Sequence, residues 1–142
     1  MNLSRSISVA GAIFALAASG HAATVVNGSF ESPDVGGAFD RFFAGSTVIT
    51  GWVVSGGSVD LVNSIWIAQG GDQALDLNGA TGGSIYQDVT GLVPGQQYEL
   101  SFYVSANSDG GPEVKSANVS IGDVAIVFSF DISEGSASEG DW

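Results

Sequence analysis

The fold class is decided by the stretch ANVSIGDVAIVFSF, residues 117–130. Apolar residues recur at every second position on both sides of Gly122-Asp123, and this period of two is typical of β-strands with one buried face. A Gly-Asp pair between two such runs favours a two-residue hairpin turn. The stretch therefore predicts two antiparallel strands, Ala117–Ile121 and Val124–Phe130, joined by a tight turn.

The same alternation recurs upstream, and no segment has a sustained helical period. Tyr98–Val104 carries apolar residues at every second position, and Ile85 and Val89 share one face of a shorter run. Pro94-Gly95 suits the centre of a type II turn between these two segments. Further strand candidates are Val48–Val54, Ser58–Val62 and Ala74–Asn78. About eight short strands at this spacing predict one all-β domain, a β-sandwich of jelly-roll type.

The first residues have the pattern of an export signal. Arg5 supplies the positive charge, Ile7 to Ala18 is apolar, and Gly20-His21-Ala22 offers small residues to a signal peptidase. The apolar run is shorter than the roughly 20 residues that span a membrane, and an uncleaved anchor is the alternative. We expect a signal peptide of residues 1–22, cleaved near Ala22. The mature residues 23–142 would form one secreted or cell-surface domain without a transmembrane segment.

The mature chain excludes several classes of function. Arg41 and Lys115 would be its only cations against 15 acidic residues, and the full chain has a formal net charge of −12. There is no cysteine, and the single histidine, His21, lies in the signal. Disulfides, thiolate nucleophiles, Ser-His-Asp triads and the common zinc sites are therefore excluded. Nucleic acid and anionic membranes are excluded as partners because they attract basic patches. Neutral glycans, cations or another protein remain.

Short motifs follow one another in a recognisable order along residues 25–142. They are Asn27-Gly28-Ser29-Phe30-Glu31, Gly51-Trp52, Gly57–Val62, Leu75–Gly79, Gly83-Ser84-Ile85 and Val93–Tyr98, running into Leu100-Ser101-Phe102. The series resembles the bacterial choice-of-anchor C family, which is similar to the plant cell-wall proteins called domain of unknown function 642. The resemblance implies a galactose-binding-like jelly-roll β-sandwich on an exported protein, similar to many carbohydrate-binding modules.

Two departures from that family concern the cysteines and the C-terminus. The chain lacks the cysteines of the plant relatives, and it ends at Trp142 after a Gly/Ser/Glu-rich segment. Members of the family continue through further strands. We therefore expect a C-terminally truncated domain that lacks its final strands.

Glu31 is a candidate metal ligand because of the resemblance. In similar sandwiches, a carboxylate just after the first-strand Phe helps to hold a structural Ca²⁺, together with backbone carbonyls and an Asp from the last strand. Calcium takes about six to eight oxygens, so one carboxylate is insufficient, and a surface glutamate beside a turn is the alternative. Asp72, Asp76 and Asn78-Gly79 do not match the EF-hand spacing.

Two tyrosines form the first candidate sugar-binding surface. Tyr86 and Tyr103 lie on the polar faces of their predicted strands. If those strands pair across the Pro94-Gly95 turn, the two rings lie opposite or diagonal on one surface, with Asp88 and Glu99 beside them as partners for sugar hydroxyls. Ordinary cross-strand packing of the two rings is the alternative.

Trp66 is the second candidate for sugar stacking, and we expect it near the end of a loop. Asn27-Gly28 predicts a tight turn, because Asn-Gly readily adopts positive φ. Phe30 and Trp52 are expected in the core. No pair of carboxylates is singled out for glycoside hydrolysis, so we expect no enzymatic activity. The sequence favours an exported, non-catalytic domain that binds a neutral polysaccharide. The alternative is a structural or adhesive surface protein that binds another protein and no glycan.

Overall fold

The computed structural model describes residues 8–9, 23–107 and 112–132, and within these ranges the chain forms β-strands and no α-helix. The strands are β1 (Ser8–Val9), β2 (Phe39–Phe43), β3 (Val53–Gly56), β4 (Ser58–Asn63), β5 (Gln73–Asp76), β6 (Ser84–Tyr86), β7 (Val104–Ser105), β8 (Val114–Ile121) and β9 (Val124–Asp131). The predicted all-β fold class is confirmed. The described residues contain no helix long and apolar enough to cross a membrane.

Some predictions concern residues outside the described ranges. These are most of the export signal and the C-terminal segment with Trp142. Ser8–Val9 pairs with Val104–Ser105 as a short antiparallel ladder.

The core lies on one face of an antiparallel three-stranded sheet with the order β2-β4-β5. Leu61 is opposite Leu75, and Phe42 is opposite Val59, so these apolar side chains share a face. The buried cluster on that face comprises Phe30, Val35, Ile49, Trp52, Val54, Val59, Leu61 and Leu75. The sequence-based prediction that Phe30 and Trp52 belong to the core is confirmed.

A turn at Asn27 leads the chain into this core. Asn27 has a positive φ of 50°, and its carbonyl accepts hydrogen bonds from the Phe30 N–H (3.1 Å) and from the Trp52 indole N–H (3.1 Å). Its side-chain amide also bridges to Ser32, donating to the carbonyl and accepting from the N–H. The Phe30 ring then lies 5.3 Å from the Trp52 ring, centroid to centroid. The predicted Asn-Gly turn is confirmed, and it fixes where residues 30–35 pass over the sheet.

The hairpin predicted from residues 117–130 is confirmed and extends further than expected. β8 and β9 pair in register from Val114↔Asp131 to Ile121↔Val124. Gly122 has a φ of 55° in the connecting turn, a left-handed conformation that glycine adopts without steric cost. The two strands form a sheet of their own.

The predicted strand at Tyr98–Val104 is wrong for most of its length, because only Val104–Ser105 is in a strand. The Pro94-Gly95 turn itself forms, with a φ of 83° at Gly95. The hydroxyl of Tyr98 accepts a hydrogen bond from the N–H of Val93 (2.7 Å), which ties Tyr98 back to the turn. Alternation alone did not place this segment in a sheet, because a strand also needs a hydrogen-bonded neighbour.

Three further boundaries differ from the prediction. The strand expected at Val48–Val54 begins only at Val53, and Val48 is exposed. The strand around Ile85 is confined to Ser84–Tyr86. β2 was not predicted, because Phe39-Asp40-Arg41-Phe42-Phe43 has no simple alternation. Hydrogen bonding to β4 holds β2 in a strand, although the sequence of β2 does not indicate one.

Candidate functional site

A cleft of about 700 Å³ lies beside the buried edge of the core. Its walls come from three segments: the chain after the Phe30 turn, the chain that follows β4, and the chain that precedes β5. The lining residues are Glu31, Asp34, Asn63, Ser64, Trp66, Ile67, Ala68, Gly71 and Asp72. Because Trp66 is its aromatic residue, we call it the Trp66 cleft. Clefts of about 300–1,000 Å³ are typical of small-molecule sites.

Glu31 is fixed in the wall of the Trp66 cleft by backbone donors. Its Oε1 accepts hydrogen bonds from the N–H groups of Asp72 (3.1 Å) and Gln73 (3.0 Å). Gly71 has a φ of 82°, and a Cβ at that position would overlap the Glu31 carboxylate. The carboxylate therefore joins the first wall of the cleft to the third, and Gly71 makes that close approach sterically feasible.

Gln73 supports the same wall from the interior. Its side chain is 1% exposed. Its amide nitrogen donates to the carbonyls of Phe30 (2.8 Å) and Pro33 (2.9 Å), and its Oε1 accepts from the N–H of Val35 (2.7 Å). Buried polar groups are costly unless they are paired, so one side chain satisfies three backbone groups that the loop would otherwise leave unpaired.

Trp66 lies where the sequence predicted it, in the irregular segment just after β4. Its side chain is half-buried, and its indole N–H donates to none of the described residues. Asn63, at the end of β4, donates from its amide to the Val35 carbonyl (2.9 Å) and so holds the first two walls together. The Trp66 side chain is therefore an aromatic surface of the cleft with an N–H that no described residue accepts.

The four residues of the predicted tyrosine surface lie outside the Trp66 cleft. Tyr86 and Tyr103 are 49% and 45% exposed. The strand pairing that was expected to bring them together is wrong, because β6 pairs with β3 and β7 pairs with β1. Asp88 and Glu99 are exposed. A role for these four residues in sugar binding stays a prediction.

A charged cluster occupies the opposite face of the three-stranded sheet. Arg41 makes two hydrogen bonds to Asp60, one from Nε and one from a terminal nitrogen, both 2.6 Å. The Asp60 hydrogen bond raises the pKa of Arg41 above its ordinary value. Arg41 is therefore committed to Asp60 and lies outside the cleft.

Asp76 is opposite Asp60 in the same sheet. Burial raises the pKa of the Asp76 carboxyl, and the charge of Asp60 adds to this, although a hydrogen bond from the Asn78 N–H (2.7 Å) opposes it. This cluster belongs to the sheet and not to the candidate site.

The structural calcium expected at Glu31 would use one carboxylate together with backbone carbonyls and an Asp from a closing strand. No three His, Cys, Asp or Glu side chains among them lie close enough together to hold a metal ion. Glu31 already accepts two backbone hydrogen bonds through Oε1. The calcium role of Glu31 stays a prediction.

Sequence reasoning identified Trp66 and Glu31 separately and did not place them in one site. It did not identify Asp34, Asn63 or Gln73. No local pattern marks these three residues. The roles of Asn63 and Gln73 arise from contacts with segments about 28 to 43 positions away in the chain.

Comparison with known proteins gives one family and one relative. Residues 22–124 match the family model described as "Carbohydrate binding domain", a segment that contains all the residues of the Trp66 cleft. The chain is also similar to halomucin of Haloquadratum walsbyi, with 42% identity over 124 residues. That alignment covers 83% of this chain and spans about 1% of the length of halomucin. No solved structure matches the chain significantly.

Proposed function

Because the chain belongs to the carbohydrate binding domain family, we propose that it is a non-catalytic module that binds a glycan in the Trp66 cleft. One observation carries the choice of site: a half-buried tryptophan borders a cleft of about 700 Å³ within the segment that matches the family. The flat indole ring suits the apolar face of a pyranose, since aromatic side chains supply contact area with fixed geometry.

The polar groups of the cleft suit sugar hydroxyls. Ser64 and the Trp66 indole N–H are available as donors, while the carboxylates of Asp34 and Asp72 are acceptors at the rim. Ligand sites commonly combine apolar surface with a few placed polar groups that fix orientation. The two hydrogen bonds to Glu31 and the three at Gln73 hold this wall in place before a ligand arrives, which lowers the entropic cost of binding.

The charge of the chain restricts the kind of glycan. Its net charge is −12, and three of the nine cleft residues are acidic. Uronic acid or sulfated polysaccharides would be repelled at such a surface. The proposed ligand is therefore a glycan without acidic groups.

The proposed location is the cell surface or the extracellular space. The signal-like pattern that ends at Ala22 supports export, and a glycan-binding domain has its ligands there. The resemblance to the choice-of-anchor C family is part of the same proposal and agrees with a surface protein.

A second candidate is a structural or adhesive protein whose partner is another protein. It is favoured by the hairpin, where Ile121, Val124 and Ile126 are all more than half exposed. Exposed apolar groups that adjoin one another are typical of interaction surfaces. This candidate requires no glycan ligand.

A glycan array followed by titration calorimetry tests the proposal, with the wild-type chain in the presence and absence of Ca²⁺. We expect Trp66→Ala to weaken retention by at least about tenfold, because it removes the stacking surface. Tyr86→Ala combined with Tyr103→Ala tests the other predicted surface: it removes the two rings outside the cleft, and retention stays unchanged if the Trp66 cleft is the site. Thermal melts of each variant verify that it is folded.

Two results would contradict the proposal in different ways. Loss of retention in the double tyrosine variant, with normal retention in Trp66→Ala, would move the site to the tyrosines. If the folded wild-type chain binds no glycan on the array, the protein-binding alternative is favoured. The same melts in EDTA and in Ca²⁺ test the calcium role of Glu31.

A further inference from the structure

Three carboxylates line the Trp66 cleft, and their hydrogen-bonding capacity is largely unused. Asp34 and Asp72 are exposed, and their carboxylates accept no hydrogen bond from the described residues. Glu31 uses Oε1 for two backbone N–H groups, while its Oε2 accepts none from that part of the chain. Several acceptors with a negative charge therefore face the space that a ligand would fill.

The described part of the chain places no cation in the cleft to balance these charges. Its two basic residues, Arg41 and Lys115, are absent from the cleft lining. Arg41 is also engaged by both carboxylate oxygens of Asp60. A concave site lined by charges of one sign concentrates ligands of the opposite sign. A positively charged group on the ligand would therefore be attracted.

The geometry favours an ammonium group over a metal ion. A metal needs several oxygens that converge on one point, at about 2.3–2.6 Å for calcium. No three acidic side chains of the described residues converge in that way. An ammonium group needs only one carboxylate oxygen at about 2.7–2.9 Å, and an indole face also attracts it. Separated carboxylates around a tryptophan therefore suit amines that are distributed along a ligand.

We infer that the Trp66 cleft selects glycans that carry free amino groups, such as polymers of 2-amino-2-deoxy sugars, over neutral glycans with the same backbone. This inference rests on the proposed function, since Trp66 supplies the stacking surface for either ligand. The carboxylates of Asp34 and Asp72 add ion pairs that only the amino form makes. The carboxylate of Glu31, which two backbone hydrogen bonds hold in place, adds a third negative charge that attracts the amino groups.

Two tetrasaccharides that differ only in acetylation test the inference by titration calorimetry at about pH 6, which favours the protonated, positively charged form of the ligand's amines. The probes are the β-linked tetramer of glucosamine and the β-linked tetramer of N-acetylglucosamine. We expect the wild-type chain to bind the amino form about threefold to tenfold more tightly, as two exposed ion pairs would provide. The preference should shrink when NaCl is raised from about 20 mM to about 300 mM, because salt screens exposed charges.

Variants locate the source of the preference. Asp34→Asn combined with Asp72→Asn should remove most of the preference for the amino form, measured as the ratio of the two dissociation constants in the same variant. Each asparagine keeps an oxygen acceptor for sugar hydroxyls, so the affinity for the amino form should fall much more than the affinity for the acetylated form. Glu113→Gln combined with Asp123→Asn removes two exposed charges outside the cleft and should keep the preference. Glu31 is left intact, because its backbone hydrogen bonds hold the cleft wall together.

The outcomes separate this inference from the proposed function. Equal affinity for the two tetramers, with loss of both in Trp66→Ala, overturns the amino selectivity and leaves glycan binding standing. A preference that the two double variants reduce equally also overturns it, since it would reflect the overall charge of the chain. If the chain binds neither tetramer, the selectivity is overturned. If it also binds no glycan on the array, the proposed glycan function is overturned.

Discussion

The three-stranded sheet and the β8–β9 hairpin differ in how far the apolar side chains of their strands are buried. The strands of the sheet are the shorter ones, and β4 and β5 within it are the more buried. β4 is six residues long, and Leu61 within it is 0% exposed. β8 and β9 are eight residues each and carry apolar residues at every second position over Ala117–Ile121 and Val124–Phe130, but Ile126 is 55% exposed. Of the described strands, none pairs with the outer edge of either hairpin strand.

The difference shows that alternation predicts a strand and does not predict what covers it. The hairpin meets the edge of the core through Phe128, which lies edge-on to Phe102 with ring centroids 5.6 Å apart. The sheet is covered by irregular chain, namely the Phe30 turn and the segment that carries Val35. Burial therefore depends on loops held by side-chain hydrogen bonds, of which Gln73 makes three.

The largest expected effect comes from truncating one apolar side chain in each region. Leu61→Ala should lower the free energy of unfolding by about 3–5 kcal/mol, because it leaves a cavity among buried neighbours. Ile126→Ala should lower it by less than about 1 kcal/mol, because most of that side chain already contacts water. Urea denaturation of the purified chain measures both values. Comparable losses at the two positions would mean that the hairpin is covered in solution.

The next effect compares two glutamines with the same number of backbone hydrogen bonds. Gln73 is buried, whereas Gln87 bonds to the N–H and carbonyl of Val26 and to the carbonyl of Gly51 near the surface. We expect Gln73→Ala to cost about 2–3 kcal/mol and Gln87→Ala about 1 kcal/mol or less, because water can replace the partner only at the exposed site. Similar midpoints of urea unfolding for the two variants would argue against Gln73 as the main support of the loop.

The smallest expected effect concerns Asp76. Burial in the folded sheet raises the pKa of its carboxyl. A carboxyl with a raised pKa in the folded state favours folding while it is protonated. That contribution is present below the pKa of the unfolded chain and is lost as pH rises through the folded value. Asp76→Asn should therefore raise Tm slightly at pH 7 relative to wild type, and this advantage should shrink as the pH falls and the wild-type carboxyl becomes protonated.

Thermal melts of the wild-type chain and Asp76→Asn between pH 3 and pH 7 measure this effect. The amide oxygen that the substitution introduces keeps an acceptor for the Asn78 N–H, so the local turn should persist. Asp123→Asn, in the exposed hairpin turn, corrects for the change in net charge. An Asp76→Asn variant that is less stable than wild type at pH 7 would show that the charge of Asp76 stabilises the sheet.

The sequence predicted local features of the fold more accurately than the assembly of the candidate site. The hairpin turn at Gly122, the turn at Asn27 and the core positions of Phe30 and Trp52 were all predicted from neighbouring residues. The pairing of β6 with β3 was missed, and the expected pairing between the segments of Tyr86 and Tyr103 does not form. Strand partners depend on distant contacts, which a single sequence shows only weakly.

The sequence by itself determined the all-β class, the hairpin and the absence of cysteine, because period, turn chemistry and composition are local properties of the chain. Only the tertiary structure decided that Glu31, Trp66 and Asp72 share one cleft. The physical reason is that the cleft is assembled by contacts between segments far apart in the chain. The Glu31 carboxylate reaches the N–H of Gln73, which is 42 positions away, and the Gln73 amide in turn holds Phe30 and Pro33 in place.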